Sequence, residues 1–400
     1  MLKLKFSLLG ILFLLVNLSI SGCPGRGDPN SICTPTTDYV ALVTNPQTNE
    51  LWVVELLSNR VTEKFPTGRN PVEIAVSPDN RLVLVSNSGD NTVTAFKHQD
   101  RGQLLRLGDI NVGNGPNGIT FSPTASEAYV AVEGDGLISI LNTRDTNVSP
   151  QQIGNLVLPR ATGEINPPRP NKVAIYNNVL FVTDISGNGK IQPFIINSPG
   201  RATAGSPWIA PASQPTRFEG VTTDKSGNVY VSDRLGDSIL AFSGSSAQSG
   251  GLQYMGRVKL VDPNFQSGRI GPTRLTVSPT NKLYIAGTDS NSIFVINITQ
   301  PIQGDQTITN IGKVISLSPF QNARDSSRPA GISVSVDGTQ VYVGNGGGMP
   351  ISLIDGNSDI LLRNIGLEVS QVSQPTISDI KFLGTIVRSQ CLGTIPVPIQ

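Results

Sequence analysis

The sequence predicts an all-β fold: a seven-bladed β-propeller of four-stranded antiparallel blades, its ring closed by N- and C-terminal strands that share one blade. Three observations carry this. A strand–turn–strand unit recurs along the chain, the composition suits short strands and tight turns, and the two chain ends hold complementary fragments of the same unit.

The unit is clearest at Pro71 to Phe96. Ile74-Ala75-Val76 and Leu82-Val83-Leu84-Val85 are apolar runs, and Thr92-Val93-Thr94-Ala95-Phe96 alternates. Ser77-Pro78-Asp79-Asn80 and Ser88-Gly89-Asp90-Asn91 separate them, because Pro lacks a ladder donor and Gly, Asp and Asn tolerate turn conformations. The second strand returns as Tyr129-Val130-Ala131-Val132, Phe181-Val182-Thr183-Asp184, Tyr230-Val231-Ser232-Asp233, Tyr284-Ile285-Ala286-Gly287 and Tyr342-Val343-Gly344-Asn345. With Leu84 to Asn87 and an early copy at Leu42 to Asn45, the spacing is roughly 40 to 60 residues, a propeller-blade period. These tetrapeptides resemble the signature of the YVTN family of β-propellers, and the resemblance covers most of the chain after residue 38.

Taken in order, the chain opens on an export signal at residues 1–22. Lys3 and Lys5 precede the apolar run Phe6 to Ile20, and Ser21-Gly22-Cys23 follows. This resembles the lipobox of bacterial lipoproteins, which implies lipidation of Cys23 and an extracytoplasmic chain anchored to a bacterial membrane by its lipid. Residues 23–37 read as the lipidated Cys and a flexible tether, 38–391 as the propeller and 392–400 as a tail. Six complete units begin at Pro71, Pro116, Pro170, Pro215, Pro272 and Pro329. The stretch Tyr39 to Phe65 lacks an innermost strand, and Pro375 to Phe382 supplies one without the others, so joining them closes the ring and removes exposed edges. Cys33 and Cys391 then meet at the seam and are expected to form a disulfide.

The formal charge of +1 and the lack of a basic patch interleaved with aromatics argue against a nucleic-acid groove. Propeller geometry brings Arg69, Lys172, Arg217, Arg274 and Arg328 to the tunnel mouth with the strand-end residues Asn87, Asp184 and Asp233, a set suited to an anionic ligand. One aligned position of the innermost strands reads Glu73, Gly118, Lys172, Glu219, Arg274 and Gly331, and Glu73, Glu219 and Asp379 are the candidate metal or catalytic carboxylates, for calcium or another hard divalent cation. The single histidine, His98, excludes histidine-rich copper centres, and no nucleophile elbow or phosphate loop is present. The expectation is a membrane-anchored binding scaffold whose tunnel face or rim loops meet a protein or envelope polymer. The alternative is a metal-assisted lactonase or lyase at the tunnel mouth, since YVTN-like folds include lactonases.

Overall fold

The computed structural model describes residues 33–99, 103–160, 165–187, 189–211, 216–244, 251–265, 268–317, 327–347, 349–367 and 375–391, with side chains from 39 to 385 among them. The export signal, Cys23 and the tail 392–400 lie outside the described residues, as do the side chains of Cys33 and Cys391. The chain divides into a compact unit Thr37–Val387 and a second unit of Met1–Thr36 with Arg388–Gln400.

Seven sheets build the large unit. Blade 1 runs Pro71–Val76, Leu82–Asn87, Thr92–His98 and Leu104–Asn111 from the tunnel outward, and blade 2 runs Pro116–Phe121, Glu127–Val132, Leu137–Asn142 and Gln151–Val157. Blade 3 holds Pro170–Tyr176, Val179–Asp184, Lys190–Ser198 and Arg201–Ala204, and blade 4 holds Phe218–Thr223, Val229–Asp233, Ser238–Ser243 and Gln253–Lys259. Blade 5 comprises Pro272–Val277, Lys282–Gly287, Ser292–Asn297 and Gly312–Ser316, and blade 6 Pro329–Val334, Gln340–Asn345, Ile351–Asp355 and Ile360–Ile365. Blade 7 is the seam: the C-terminal strand Asp379–Cys391 is innermost, beside Cys33–Asn45, Glu50–Glu55 and Arg60–Pro66.

Five innermost strands start on the proline that the repeat marks, where a missing N–H costs nothing. Blade 7 departs from this. Its inner strand starts at Asp379, four residues beyond Pro375, because Ser378 N bonds Thr44 O and Thr44 Oγ1 donates to Asp379 O at 3.4 Å, which sets the register.

Hydrophobic clusters lie between blades rather than within them. Ala75, Leu82 and Leu84 of blade 1 pack on Ile119, Phe121 and Val130 of blade 2, and the blade 7 to blade 1 seam is filled by Leu42, Val53, Ile74 and Val85. Each blade therefore buries its faces only through its neighbours, and closure makes this mutual. Tyr129, Tyr230, Tyr284 and Tyr342, the first residues of four repeated tetrapeptides, are fully buried. Burial of a phenol demands a partner. Tyr129 donates to Glu127 at 2.7 Å, Tyr230 to Asp224 at 3.0 Å, Tyr284 to Asp359 at 2.8 Å and Tyr342 to Gln340.

Blades 3 and 4 carry additions that the repeat does not announce. Trp208–Ile209 pairs with the third strand of blade 3. Gly304–Thr307, from the connection inside blade 5, pairs parallel with the outer strand of blade 4, so the sheets are not antiparallel throughout. The close approach needs glycine, since a Cβ on Gly256 would meet Gly304 N at 2.5 Å. Ile308, in the short helix Ile308–Ile311, inserts into the cluster between blades 4 and 5.

Candidate functional site in the central tunnel

The site arises from one register position repeated around the ring. Glu73 faces Ser86, Gly220 faces Ser232 and Gly331 faces Gly344 across the first two strands. The backbone N–H groups of Glu73, Lys172 and Gly220 donate to the hydroxyls of Ser86, Thr183 and Ser232 at 3.2, 3.0 and 2.8 Å. The same position in the remaining blades is Gly118, Arg274 and Asp379. Around the tunnel the layer therefore reads Glu73, Gly118, Lys172, Gly220, Arg274, Gly331 and Asp379. Glu219 does not belong to it: Phe218 stands opposite Asp233 as Pro71 stands opposite Asn87, so Gly220, one residue on, takes the place that Glu73 has in blade 1.

Charged residues alternate with glycines for a steric reason. A Cβ on Gly118 would lie 2.7 Å from Asn171 O and from Lys172 Cα, one on Gly220 would strike Thr273 O, and one on Gly331 would lie 2.6 Å from Asp379 Oδ1. Each glycine lets the next blade's inner strand come close, and that next blade contributes the long side chain. An odd number of blades breaks the alternation once, at the seam, where Asp379 and Glu73 are neighbours.

These side chains meet in the tunnel. Lys172 Nζ donates to Glu73 Oε2 at 2.5 Å and to Asn117 Oδ1 at 2.5 Å, and Arg274 bonds the same Glu73 oxygen while its Nε donates to Ala330 O at 3.1 Å. Asp379 Oδ2 accepts the Ile74 N–H at 2.9 Å. Burial alone would raise the Glu73 carboxyl, but Lys172, Arg274 and Lys381 outweigh it and bring it from 4.5 down to about 2. Burial, helped by Arg274, lowers Lys172 to about 8 despite the opposing pull of Glu73. Burial would lower Arg274, yet Glu73 and Asp379 more than compensate, so it is raised and stays charged.

Beside this cluster is a cavity of about 240 Å3 lined by Glu73, Lys172, Arg274, Asp379 and Lys381 and by the threonines Thr120, Thr222, Thr223 and Thr276. Three cationic and two acidic side chains leave its wall one positive charge in excess. Lys381 and the threonines are lining residues that sequence reasoning missed. They recur two or three positions after the layer residue, a signal available in the repeat once its register is correct.

The three candidate metal carboxylates do not form a cation site. Glu73 is committed to Lys172 and Arg274, Glu219 pairs with Arg217 at 2.7 Å, and Asp379 accepts a backbone amide. Among the described residues no group of three His, Cys, Asp or Glu is placed to hold a metal ion. A calcium centre at Glu73, Glu219 and Asp379 is therefore not supported: Glu73 is taken by cations of blades 3 and 5, Glu219 by the neighbouring Arg217 and Asp379 by a backbone amide.

The remaining mouth residues are held by internal bonds. Arg69 pairs with Asp90 at 2.5 Å. Asn87 donates to Thr92 and Thr94 at 3.1 and 2.8 Å. Asp184 accepts from the Arg169 and Ser186 amides and pairs with the buried Lys190 at 3.1 Å. Asp233 accepts the Arg217 amide at 2.9 Å, and the Arg328 amide donates to Asn291 at 2.9 Å. His98 ends the third strand of blade 1, its Nδ1 2.7 Å from Asn80 O.

The fold and tunnel define a class, the seven-bladed propeller with a cation-rich central cavity, and sequence comparison narrows it. Residues 40–163 match the family described as Lactonase, 7-bladed beta-propeller. Comparison with curated proteins finds no match. Among solved structures, the periplasmic gluconolactonase of Pseudomonas aeruginosa is 16% identical with a TM-score of 0.64, covering 87% of this chain and 99% of that one. A putative 6-phosphogluconolactonase from Bacteroides uniformis is 13% identical with a TM-score of 0.65 over 86% and 99% of the two chains. A protein of unknown function from Desulfotomaculum acetoxidans is 12% identical with a TM-score of 0.66 over 86% and 98%. At these identities the structures share the fold. The family match overturns the expectation of a binding scaffold and favours its alternative, lactone chemistry.

Proposed function

We propose that this chain hydrolyses a lactone in the central tunnel. The observation that carries the reading is a cavity walled by the buried Lys172 and the half-buried Arg274, with Lys381 beside them; the lactonase family match over residues 40–163 supports it. Ring opening requires charge stabilised on one oxygen and a proton delivered to another. Water adds to the carbonyl carbon, and negative charge collects on the carbonyl oxygen. The ring C–O bond then breaks with its electron pair going to the ring oxygen. Arg274 keeps N–H donors beyond those given to Glu73 and Ala330, so it is suited to the oxyanion. Lys172, lowered to about 8, is a stronger acid than an ordinary lysine and protonates the departing alkoxide, then takes back the proton that the added water gives up. The hydroxy acid formed ionises and releases a proton to solvent.

That proton is the assay. Opening of glucono-δ-lactone and γ-butyrolactone is followed with a pH indicator, and Arg274→Gln is expected to lower kcat by about 100-fold or more with unchanged near-UV dichroism. Wild-type rates equal to those of buffer on both lactones would overturn the proposal.

The Cys23 anchor and an extracytoplasmic location belong to the same reading, supported by the apolar run Phe6 to Ile20 ending at Ser21-Gly22-Cys23. No helix among the described residues is long and apolar enough to cross a membrane. The Cys33–Cys391 clasp is supported by backbone alone: two neighbouring strands, one beginning and the other ending on these cysteines. Loss of membrane retention in Cys23→Ala, and one disulfide-linked peptide pair in a non-reducing digest, are the expected results.

A further inference from the structure

A second cavity, of about 440 Å3, shares no lining residue with the tunnel. It sits between blades 3 and 4, walled by Trp208 from the added two-residue strand and by Tyr254 and Arg257 from the outer strand of blade 4. Its size falls within the range of about 300–1,000 Å3 usual for small-molecule sites.

The aromatic wall is fixed in place. Trp208 lies near-parallel to Phe218 and to Tyr254, with ring centroids 6.0 and 5.7 Å away and interplanar angles of 26° and 17°. Phe242 stands edge-on to Trp208 and Tyr254 at 5.0 and 5.7 Å. Asp305, on the parallel strand borrowed from blade 5, accepts from the Tyr254 hydroxyl at 3.3 Å and from Arg257 at 3.0 Å, which ties the wall down.

The opposite wall is polar and incompletely satisfied. Asp233, which is buried, lines it, and burial raises its carboxyl against the backbone amides that bond it. Thr216 also lines the cavity, and its hydroxyl is buried with no hydrogen-bond partner among the described residues. An orphaned buried hydroxyl is unfavourable unless something absent from the chain itself bonds it.

We propose that this cavity is a carbohydrate subsite that holds one hexopyranose ring, its C–H face on the Trp208–Tyr254 wall and its hydroxyl edge toward Asp233, Thr216 and Arg257. A flat aromatic or alkyl ligand would leave the Thr216 hydroxyl unmatched and place apolar atoms against the Asp233 carboxylate. An anion would gain nothing from the aromatic wall and would face Asp233, and a cation, which the rings would attract, would face Arg257. A pyranose presents both characters on opposite sides. The inference is independent of lactone hydrolysis in the tunnel.

The test uses saturation-transfer NMR on the unmodified full-length chain with methyl β-D-glucopyranoside and N-acetylglucosamine, and cyclohexanol as the apolar control. Trp52 and Trp208 are the two tryptophans of the chain, so Trp52→Phe makes Trp208 emission a second reporter. Saturable sugar binding is expected, about tenfold weaker in Asp233→Asn and several-fold weaker in Thr216→Val. Thr216→Val should leave thermal stability and lactone opening unchanged, because its hydroxyl bonds nothing among the described residues. No saturable signal from either sugar, sugar binding indifferent to both substitutions, or cyclohexanol binding as tightly as the sugars would each overturn the proposal.

Discussion

The tunnel and the rim of this propeller use the same kinds of charged residue in opposite ways. In the tunnel, the Lys172–Glu73 pair has side-chain exposures of 9% and 11%; at the mouth, Arg69 and Asp90 are 73% and 33% exposed. The tunnel pair joins blades 1 and 3, with Arg274 arriving from blade 5, whereas the rim pair ties neighbouring turns of one blade boundary. Charge spacing along the repeat therefore says little by itself. What decides the role of a charge is whether water can replace its partner.

The largest effect is expected from Glu73→Gln. Removing the carboxylate leaves Lys172 and Arg274 with only the more distant Asp379 to offset their charge, and breaking a buried pair from one side costs on the order of 3–5 kcal/mol. Urea denaturation followed by far-UV dichroism measures it. Acid titration sharpens the point. Glu73 is depressed from 4.5 to about 2, so between those values the unfolded chain binds the extra proton and stability falls as pH falls. The wild type should lose stability through this window and Glu73→Gln should lose less. If the two acid limbs coincide, the cluster is not what holds the inner strands together.

Next in size is Gly220→Ala. Its new methyl group would strike Thr273 O of blade 5, a backbone atom that cannot rotate away, so overpacking should cost about 1–3 kcal/mol by the same denaturation assay. Alanine at Gly251, where an added Cβ meets nothing within 4 Å, is the control. Equal midpoints for the two variants would mean that the alternation of glycine and charge around the tunnel is not a packing requirement.

These contrasts explain what the sequence could reveal. Strand repeats and complementary termini were enough for the blade number and the closed ring, because both depend on local turns and period-two burial. Glu73, Lys172 and Arg274 were identifiable as tunnel candidates. Their mutual pairing was not, since Glu73 and Arg274 lie 201 residues apart and meet only after closure. The one-residue slip at Glu219 shows the limit of alignment by proline: Phe218 takes the place that proline holds at the start of five other inner strands, and Pro215 stands three residues before it in the sequence. The sugar cavity was hidden for a related reason. Trp208 joins blade 3 and Asp305 joins blade 4 by pairings that break the repeat.

The smallest effect should come from Arg69→Ala. The guanidinium is exposed, and its partner Asp90 also accepts the Arg69 backbone N–H at 2.6 Å, a bond that alanine retains. The Asp90 carboxyl is lowered first by that backbone bond and then by the side-chain bond, so most of its local support survives the substitution. Solvent and salt screen what remains. The denaturation midpoint should match the wild type, and the difference should not grow when ionic strength is reduced. A clear loss at low salt that vanishes at high salt would place this rim pair with the tunnel cluster, and exposure would no longer separate the two regions.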